Sequence, residues 1–301
     1  MHSNLTIVIP AYNESESIRG VLENMIPFIM KNDIQVIVVN DGSRDNTQQI
    51  AISFKEQHPA FPLRIISHSL NRGYGGALKS GIELAATAYV VTMDADGQHN
   101  LDDLPKLFDT MIQEKADMCI GNRNFKGSTL SRNLIKKSVL YFVKRSTGID
   151  IHDLNSGMKM YKTAIVQSLL KYTPNGMPFS DTIVLLHHQF RYKITEQEIA
   201  INERAAGEST INYKTAIYTI VEVANIIINF FPFKFFFYIA VLLFMIGMLW
   251  GIPFIASGNG LTTGTSFLIL ASLNFFFFGI ILENVVRARF ENYRYNGHKI
   301  Q

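Results

Sequence analysis

Five times within the first 123 residues, a short apolar run rich in β-branched side chains ends in a polar or glycine-containing cluster. The runs are LTIVIP (5–10), QVIVVNDGS (35–43), LRIISHS (63–69), residues 88–94 and ADMCIGNR (116–123), with helical patterns between them. Strands alternating with helices at this spacing are joined by crossovers, which predicts βαβ units and a mainly parallel sheet. Pro10 is expected to stop the first strand, Asn13 or Ser15 to cap the helix after it, and Asp45 or Asn46 to begin the next helix. A further helix is expected over 101–115. Ligands of open parallel sheets gather beyond the C-terminal strand ends. Pro10–Glu14, Asp41, Asn71–Gly76, Asp94–Gln98 and Arg123 all fall there.

The richest of these clusters is YVVTMDADGQHN (89–100). A strand runs into Asp94-Ala95-Asp96, and Gly97 breaks it. If extended backbone persists through Asp96, side chains two apart project to one side. Two hard oxygen ligands suit Mg²⁺ or Mn²⁺ when a substrate phosphate completes the shell. Gln98 and His99 follow within reach. Asp-x-Asp alone is more often an ordinary acidic turn; the neighbouring clusters are what favour a site.

NRGYGGALKSG (71–81) is a glycine-rich turn opening a helix. Gly73, Gly75 and Gly76 suit either a phosphate cradle at a helix N-terminus or a purely structural turn. The spacing is not the dinucleotide fingerprint.

Composition separates the chain into two parts. Of 301 residues 48% are hydrophobic and only 18% charged, with 22 Phe, and nearly all the surplus lies after residue 215. A net charge of +3 with no basic run interleaved with aromatics argues against nucleic acid. Cys119 is the only cysteine, so internal disulfides and Cys-based zinc sites are excluded. The N-terminal MHSNLTIVIPAYNE lacks the basic region and apolar length of a signal peptide. LSRNLIKKSVLYFVKRS (130–146) reads as an amphipathic helix whose basic residues are either a solvated face or a surface for anionic lipid. DLNSGMKMYK (153–162) reads as a turn into a short strand, and ITEQEIAINERAAGEST (194–210) as a strand and a loop. The segment 212–232 keeps Thr215, Thr219, Glu222, Asn225 and Asn229 at helical spacing, an interfacial amphipathic pattern. Residues 233–256 and 265–286 are each long enough to cross a bilayer. The loop between them is uncharged, whereas Arg287, Arg289, Arg294 and Lys299 follow the second run. The positive-inside rule then puts both termini in the cytoplasm.

PAYNE (10–14), VVNDGSRDNT (38–47), LNRGYGGALKSG (70–81), DADGQH (94–99), DLNSGMKMY (153–161) and ERAAGES (203–209) form an ordered set. That set resembles the family 2 glycosyltransferases of the GT-A fold. More narrowly, it resembles polyprenyl-phosphate hexose synthases, such as dolichyl-phosphate mannose synthase and bacterial undecaprenyl-phosphate glucosyltransferases. The resemblance covers residues 4–211, and the two-span tail is similar to the bacterial branch. It implies an α/β GT-A domain (1–211) with a Rossmann-like, mainly parallel sheet, an interfacial helix (212–232), two transmembrane helices (233–256 and 265–286) and a basic cytoplasmic tail (287–301).

Carried over by position, the resemblance implies that Pro10, Tyr12, Glu14, Val39 and Asp41 hold the base and ribose of a nucleotide sugar. Ala95 joins them beside the pyrophosphate. Asp94, Asp96 and Gln98 are implied as ligands of Mg²⁺ or Mn²⁺. Arg123 is implied near the phosphates and the acceptor, Arg132 and Lys136 at the acceptor phosphate, and Arg204 in a loop that closes on the diphosphate. Relatives often have Lys where this chain has Thr210 and Ser where it has Lys136; whether Lys214 substitutes for the former stays open. The implied reaction is inverting, metal-dependent transfer of a hexose, from a donor of the UDP-glucose or GDP-mannose type, to polyprenyl phosphate at a lipid bilayer. A homo-oligomer is implied as well. Two competing readings are a glycosyltransferase with another membrane or glycan acceptor and a non-catalytic nucleotide-sugar-binding scaffold. A processive polysaccharide synthase would carry Gln-x-x-Arg-Trp, and the single tryptophan, Trp250, lies inside the first apolar run.

Overall fold

The structure is a computed structural model that describes residues 4–123, 144, 148, 151–201 and 228–297. The chain divides into two compact units, Met1–Thr210 and Ile211–Gln301.

The first unit is built on a seven-stranded sheet. Its strands are β1 (Leu5–Ala11), β2 (Gln35–Asn40), β3 (Leu63–Ser67), β4 (Tyr89–Thr92), β5 (Met118–Asn122), β6 (Lys159–Lys162) and β7 (Ile194–Glu198). Their spatial order is β3-β2-β1-β4-β6-β5-β7. Every pairing is parallel except those of β6, which runs antiparallel to β4 and β5. The expected mainly parallel sheet is therefore present, with one reversed strand inserted at its centre.

Local sequence explains the layering. All seven residues of β1 are buried, as a strand covered on both faces requires. Leu5, Ile7 and Ile9 join one core with Ile18, Leu22, Met25 and Ile29 of α1 (Ile18–Asn32). The alternating Val8 meets α3 (Tyr74–Glu83) on the other face, where a Cβ on Gly81 would stand 2.3 Å from Val8 Cγ1. Burying the four α1 side chains contributes roughly 2 kcal/mol each. Among the described residues the other helices given bounds in this unit are α2 (Thr47–Gln57), α4 (Asp103–Gln113), α5 (Thr163–Leu169) and α6 (Phe179–Gln189). The last two, with a short 3₁₀ turn over Leu170–Tyr172, fill a stretch for which the sequence reading offers no element.

Three local expectations need correction. β1 runs through Pro10 to Ala11, because β4 stops pairing with it at Val8 and the missing proline N–H interrupts no ladder on that side. Neither Asn13 nor Ser15 caps α1. The N-cap is Ser17, whose hydroxyl donates to Glu14 Oε2 at 2.6 Å, while Asn13 turns the chain at φ +57°. β4 ends at Thr92, so extended backbone does not reach Asp96.

The second unit contains α7 (Pro232–Ala256) and α8 (Thr263–Gly297), 25 and 35 residues long. Both are long and apolar enough to cross a membrane. They pack where small residues let them approach: a Cβ on Gly251 would stand 2.6 Å from Thr265 Cγ2, and one on Gly279 3.1 Å from Phe236 Cβ. Phe233 and Phe236 meet Phe276 and Phe275 at ring-centroid distances near 6 Å.

Candidate active site

β1, β2, β3, β4 and β5 point the same way, so the residues following them meet at one edge of the sheet. Asp94 leaves β4 there and enters a tight turn completed by Gly97 at φ +75°. Its Oδ1 accepts a 2.8 Å hydrogen bond from the Tyr74 hydroxyl, and His99 Nε2 lies 3.5 Å from its Oδ2. Burial pushes the Asp94 carboxyl up, but the bonds from His99 and Tyr74 and the Arg123 charge outweigh it and hold it below the usual carboxylate range. Burial and the facing Asp94 push the Tyr74 phenol well above its ordinary value, so it remains a donor at neutral pH. Asp96 caps its own turn by accepting from the Gln98 backbone N–H at 3.1 Å. The side chain of His99 is only 4% exposed, and its Nδ1 has no hydrogen-bond partner among the described residues.

The loop before β6 closes this turn from beside it. Gly157 lies directly against the Asp94 carboxylate. Its carbonyl accepts from Thr92 Oγ1 at 2.8 Å, which ties the loop to the end of β4. The same loop carries Asp153, which binds Arg123 through Nε at 2.6 Å and Nη2 at 2.9 Å; Nη2 also reaches Asn155 O. Burial disfavours the charge on Arg123, yet the paired Asp153 raises its affinity for the proton. Glu196 of β7 holds the loop in turn, accepting from the backbone N–H groups of His152 and Asp153. Beneath it, fully buried Lys159 donates to Ser156 O and to the Ser180 hydroxyl of α6. Burial lowers Lys159 to about 8, although Asp181 and Asp153 oppose that shift.

Asp41 is buried at the end of β2 and occupied by the chain itself. It accepts from His68 Nδ1 at 2.6 Å and from the backbone N–H groups of Arg72 and Gly73 at 2.9 and 2.8 Å. His68 is backed by Ser80 at 2.9 Å. The glycine-rich turn is thereby anchored to β2, and the glycines themselves serve packing. A Cβ on Gly73 would stand 2.6 Å from Asn175 O, and one on Gly75 2.5 Å from Pro174 O. The Gly76 N–H, which a phosphate cradle would need, already donates to Asn175 O at 2.9 Å.

Val39 and Ala95 are buried, while Tyr12 is exposed. Glu14 is half-buried, its N–H donating to Thr47 Oγ1 and its carboxylate accepting from Ser17. Pro10 lies in β1 opposite Val39. Arg132, Lys136, Arg204 and Lys214 lie outside the described residues, as do the segment 130–143 and most of 212–232. Tyr74, His68, Asp153, Gly157 and Lys159 are site residues without an individual role in the sequence reading. The lysine inside the apolar MKMY run was the one local sign of a buried polar group.

The donor set fits a hard divalent cation. Asp94 is held ionised, its two oxygens have further lone pairs beyond the contacts described, and Asp96 follows in the same half-buried turn. Among the described residues no three His, Cys, Asp or Glu side chains form a closed metal cluster. A cation here would take its remaining ligands from substrate or water.

The family model for glycosyl transferase family 2 matches residues 6–170, more than half of the chain. The chain belongs to this family. A second model, the GtrB C-terminal hairpin, matches residues 231–288 and so covers most of α7 and α8. The chain is 30% identical over 217 residues to an undecaprenyl-phosphate 4-deoxy-4-formamido-L-arabinose transferase of Pectobacterium atrosepticum, covering 70% of this chain and 63% of that one. It is 26% identical over 215 residues to a dolichyl-phosphate β-glucosyltransferase of Dictyostelium discoideum, covering 66% and 65%. The chain thus spans just under two thirds of the length of these curated relatives. Among solved structures, glucosyl-3-phosphoglycerate synthase of Mycobacterium tuberculosis, in complex with Mn²⁺, UDP-glucose and phosphoglyceric acid, superposes with a TM-score of 0.59 at 18% identity. That match covers 74% of this chain and 78% of that one. At this identity the likeness establishes the GT-A-like fold.

Proposed function

We propose that this protein transfers a hexose from a nucleotide sugar to a polyprenyl phosphate at a membrane, with inversion. The observation that carries the reading is the loop 153–157. It holds an arginine at one end, through Asp153, and backs an ionised Asp94 at the other. An anionic acceptor needs the first charge, and a cation-neutralised diphosphate leaving group needs the second.

Asp94, Asp96 and Gln98 would hold Mg²⁺ or Mn²⁺, which supplies countercharge to the departing nucleoside diphosphate. The chain's own residues do the rest. Pro10, Tyr12, Glu14, Val39 and Asp41 form the nucleotide end, with Asp41 acting chiefly by shaping the 71–76 turn beside it. Arg123 retains Nη1 donors beyond its bonds to Asp153 and Asn155, and these are offered to the acceptor phosphate. Arg132 and Lys136 add to that charge, and Arg204 closes on the diphosphate. The phosphate oxygen of the acceptor is anionic near neutral pH, so attack on the anomeric carbon needs no protein base. The names of the two relatives, which pair a sugar with a polyprenyl phosphate, support this acceptor class. α7 and α8 would span the bilayer and keep the site at its cytoplasmic surface.

The deciding experiment incubates the purified full chain in detergent with undecaprenyl phosphate and a panel of nucleotide sugars, and reads the lipid by mass spectrometry. One lipid-phosphate sugar should form. It should vanish with excess chelator and in Asp94→Asn and Asp96→Asn. Hydrolysis of donors without any lipid product would sink the acceptor assignment.

A further inference from the structure

We propose that Tyr74 is a positioning residue for Asp94, and that the glycine-rich motif exists to deliver its hydroxyl there. This rests on the reading of Asp94 as a ligand of the divalent cation. The argument begins with how firmly Tyr74 is placed. It is the first residue of α3, directly after Gly73, whose φ of +88° a side chain would strain. On one side Asp41 grips the turn through the Arg72 and Gly73 N–H groups. On the other, Gly73, Gly75 and Gly76 dock closely against 174–176, and Lys79 bridges to Thr173 O and Asn175 Oδ1.

Tyr74 therefore extends from a base fixed at both sides, and its ring has only two torsions to order. Its hydroxyl meets Asp94 Oδ1 at 2.8 Å, while Gly157 blocks the space beside Oδ2. A carboxylate held at one oxygen by the Tyr74 hydroxyl, and flanked at the other by Gly157 and by His99 Nε2 at 3.5 Å, is restricted in rotation about its Cβ–Cγ bond. Partners of this kind orient a ligand before the ion arrives, and losing one typically weakens metal binding about 10–100-fold. A tyrosine that merely filled space would need no hydroxyl at this position.

The test is Mn²⁺ titration of the full chain in detergent without nucleotide, followed by the electron paramagnetic resonance of free Mn²⁺. It is run for wild type, Tyr74→Phe and Asp94→Asn, with apo thermal unfolding measured in parallel. Tyr74→Phe should bind Mn²⁺ on the order of ten-fold more weakly. Its apo unfolding temperature should fall by no more than a few degrees, the loss of one hydrogen bond, and its transfer rate should recover partly as Mn²⁺ is raised. Wild-type Mn²⁺ affinity in Tyr74→Phe, with binding lost in Asp94→Asn, would overturn the positioning role and leave the metal site standing. Lowered apo stability with unaltered Mn²⁺ affinity would reduce Tyr74 to a structural residue. No Mn²⁺ binding by the wild type would overturn both this inference and the reading it rests on.

Discussion

A Cβ placed on Gly157 would stand 2.0 Å from Oδ2 of Asp94 and 2.6 Å from its Cγ. No real Cβ is found that close, so only glycine fits at residue 157 while Asp94 keeps its present rotamer. The loop and the carboxylate define each other's position across 63 residues of sequence, as 157 − 94.

Gly157→Ala should therefore displace Asp94 rather than unfold the sheet. A displacement near 1 Å at a reacting centre costs on the order of 100-fold in rate, whereas the overpacking itself costs about 1–3 kcal/mol. Initial rates and urea unfolding on the same preparation check this. Full activity with reduced stability would show that Asp94 tolerates the shift.

Asp153 is 6% exposed in its side chain and Arg123 24%. Removing one partner of such a pair leaves the other charge uncompensated. Asp153→Ala should cost roughly 3 kcal/mol, the low end for buried pairs because Arg123 keeps some access to water. The urea midpoint measures the loss, and acceptor KM should rise because Arg123 loses its orientation. An unchanged midpoint would mean that the bridge is replaced by solvent.

Lys159 carries a pH signature. Its proton affinity falls from an ordinary 10.5 to about 8 in the folded chain because it is buried. Between those values the unfolded state binds more protons than the folded state, so stability from this group rises with pH. Below about pH 8 the buried charge is a penalty, and above 10.5 that penalty is gone. The difference in unfolding free energy between wild type and Lys159→Met should climb between pH 8 and 10.5. Denaturant curves at three pH values across that window test it. A flat difference would show that Lys159 titrates normally. Ser180 Oγ already donates to Ser156 O at 2.9 Å, so the variant leaves no stranded carbonyl.

The hairpin prediction uses the single cysteine as a silent background. Cys119 is fully buried in β5, and burial raises its thiol to about 12. Single cysteines replacing Ser257, Asn259 or Leu261, between α7 and α8, should react with an impermeant maleimide on intact cells. One replacing Asn296 should react only after lysis. Labelling of both ends from outside would rule out two spans with cytoplasmic termini.

Alternation of strands and helices, the placement of polar clusters at strand ends and the two long apolar helices are all legible in the sequence. Each depends on periodicity or length within a single segment, and β1, β2 and β4 follow directly from their buried β-branched runs. What the local pattern could not carry is pairing between distant segments. DLNSGMKMYK reads as a turn and a strand, but only the folded chain inserts that strand, reversed, between β4 and β5. That insertion brings Gly157 to Asp94, Asp153 to Arg123 and Lys159 beneath them. The glycine-rich turn suits a phosphate or a structural role equally until 173–176 is seen packed into it. Asp41 looks free to meet a ligand until His68 and the 72–73 amides are found on its oxygens. Backbone propensity acts over a few residues, whereas these contacts join residues from 27 positions apart, as Asp41 and His68, to 102 apart, as Gly73 and Asn175. Tertiary structure alone decides which polar side chains face each other once those loops are closed.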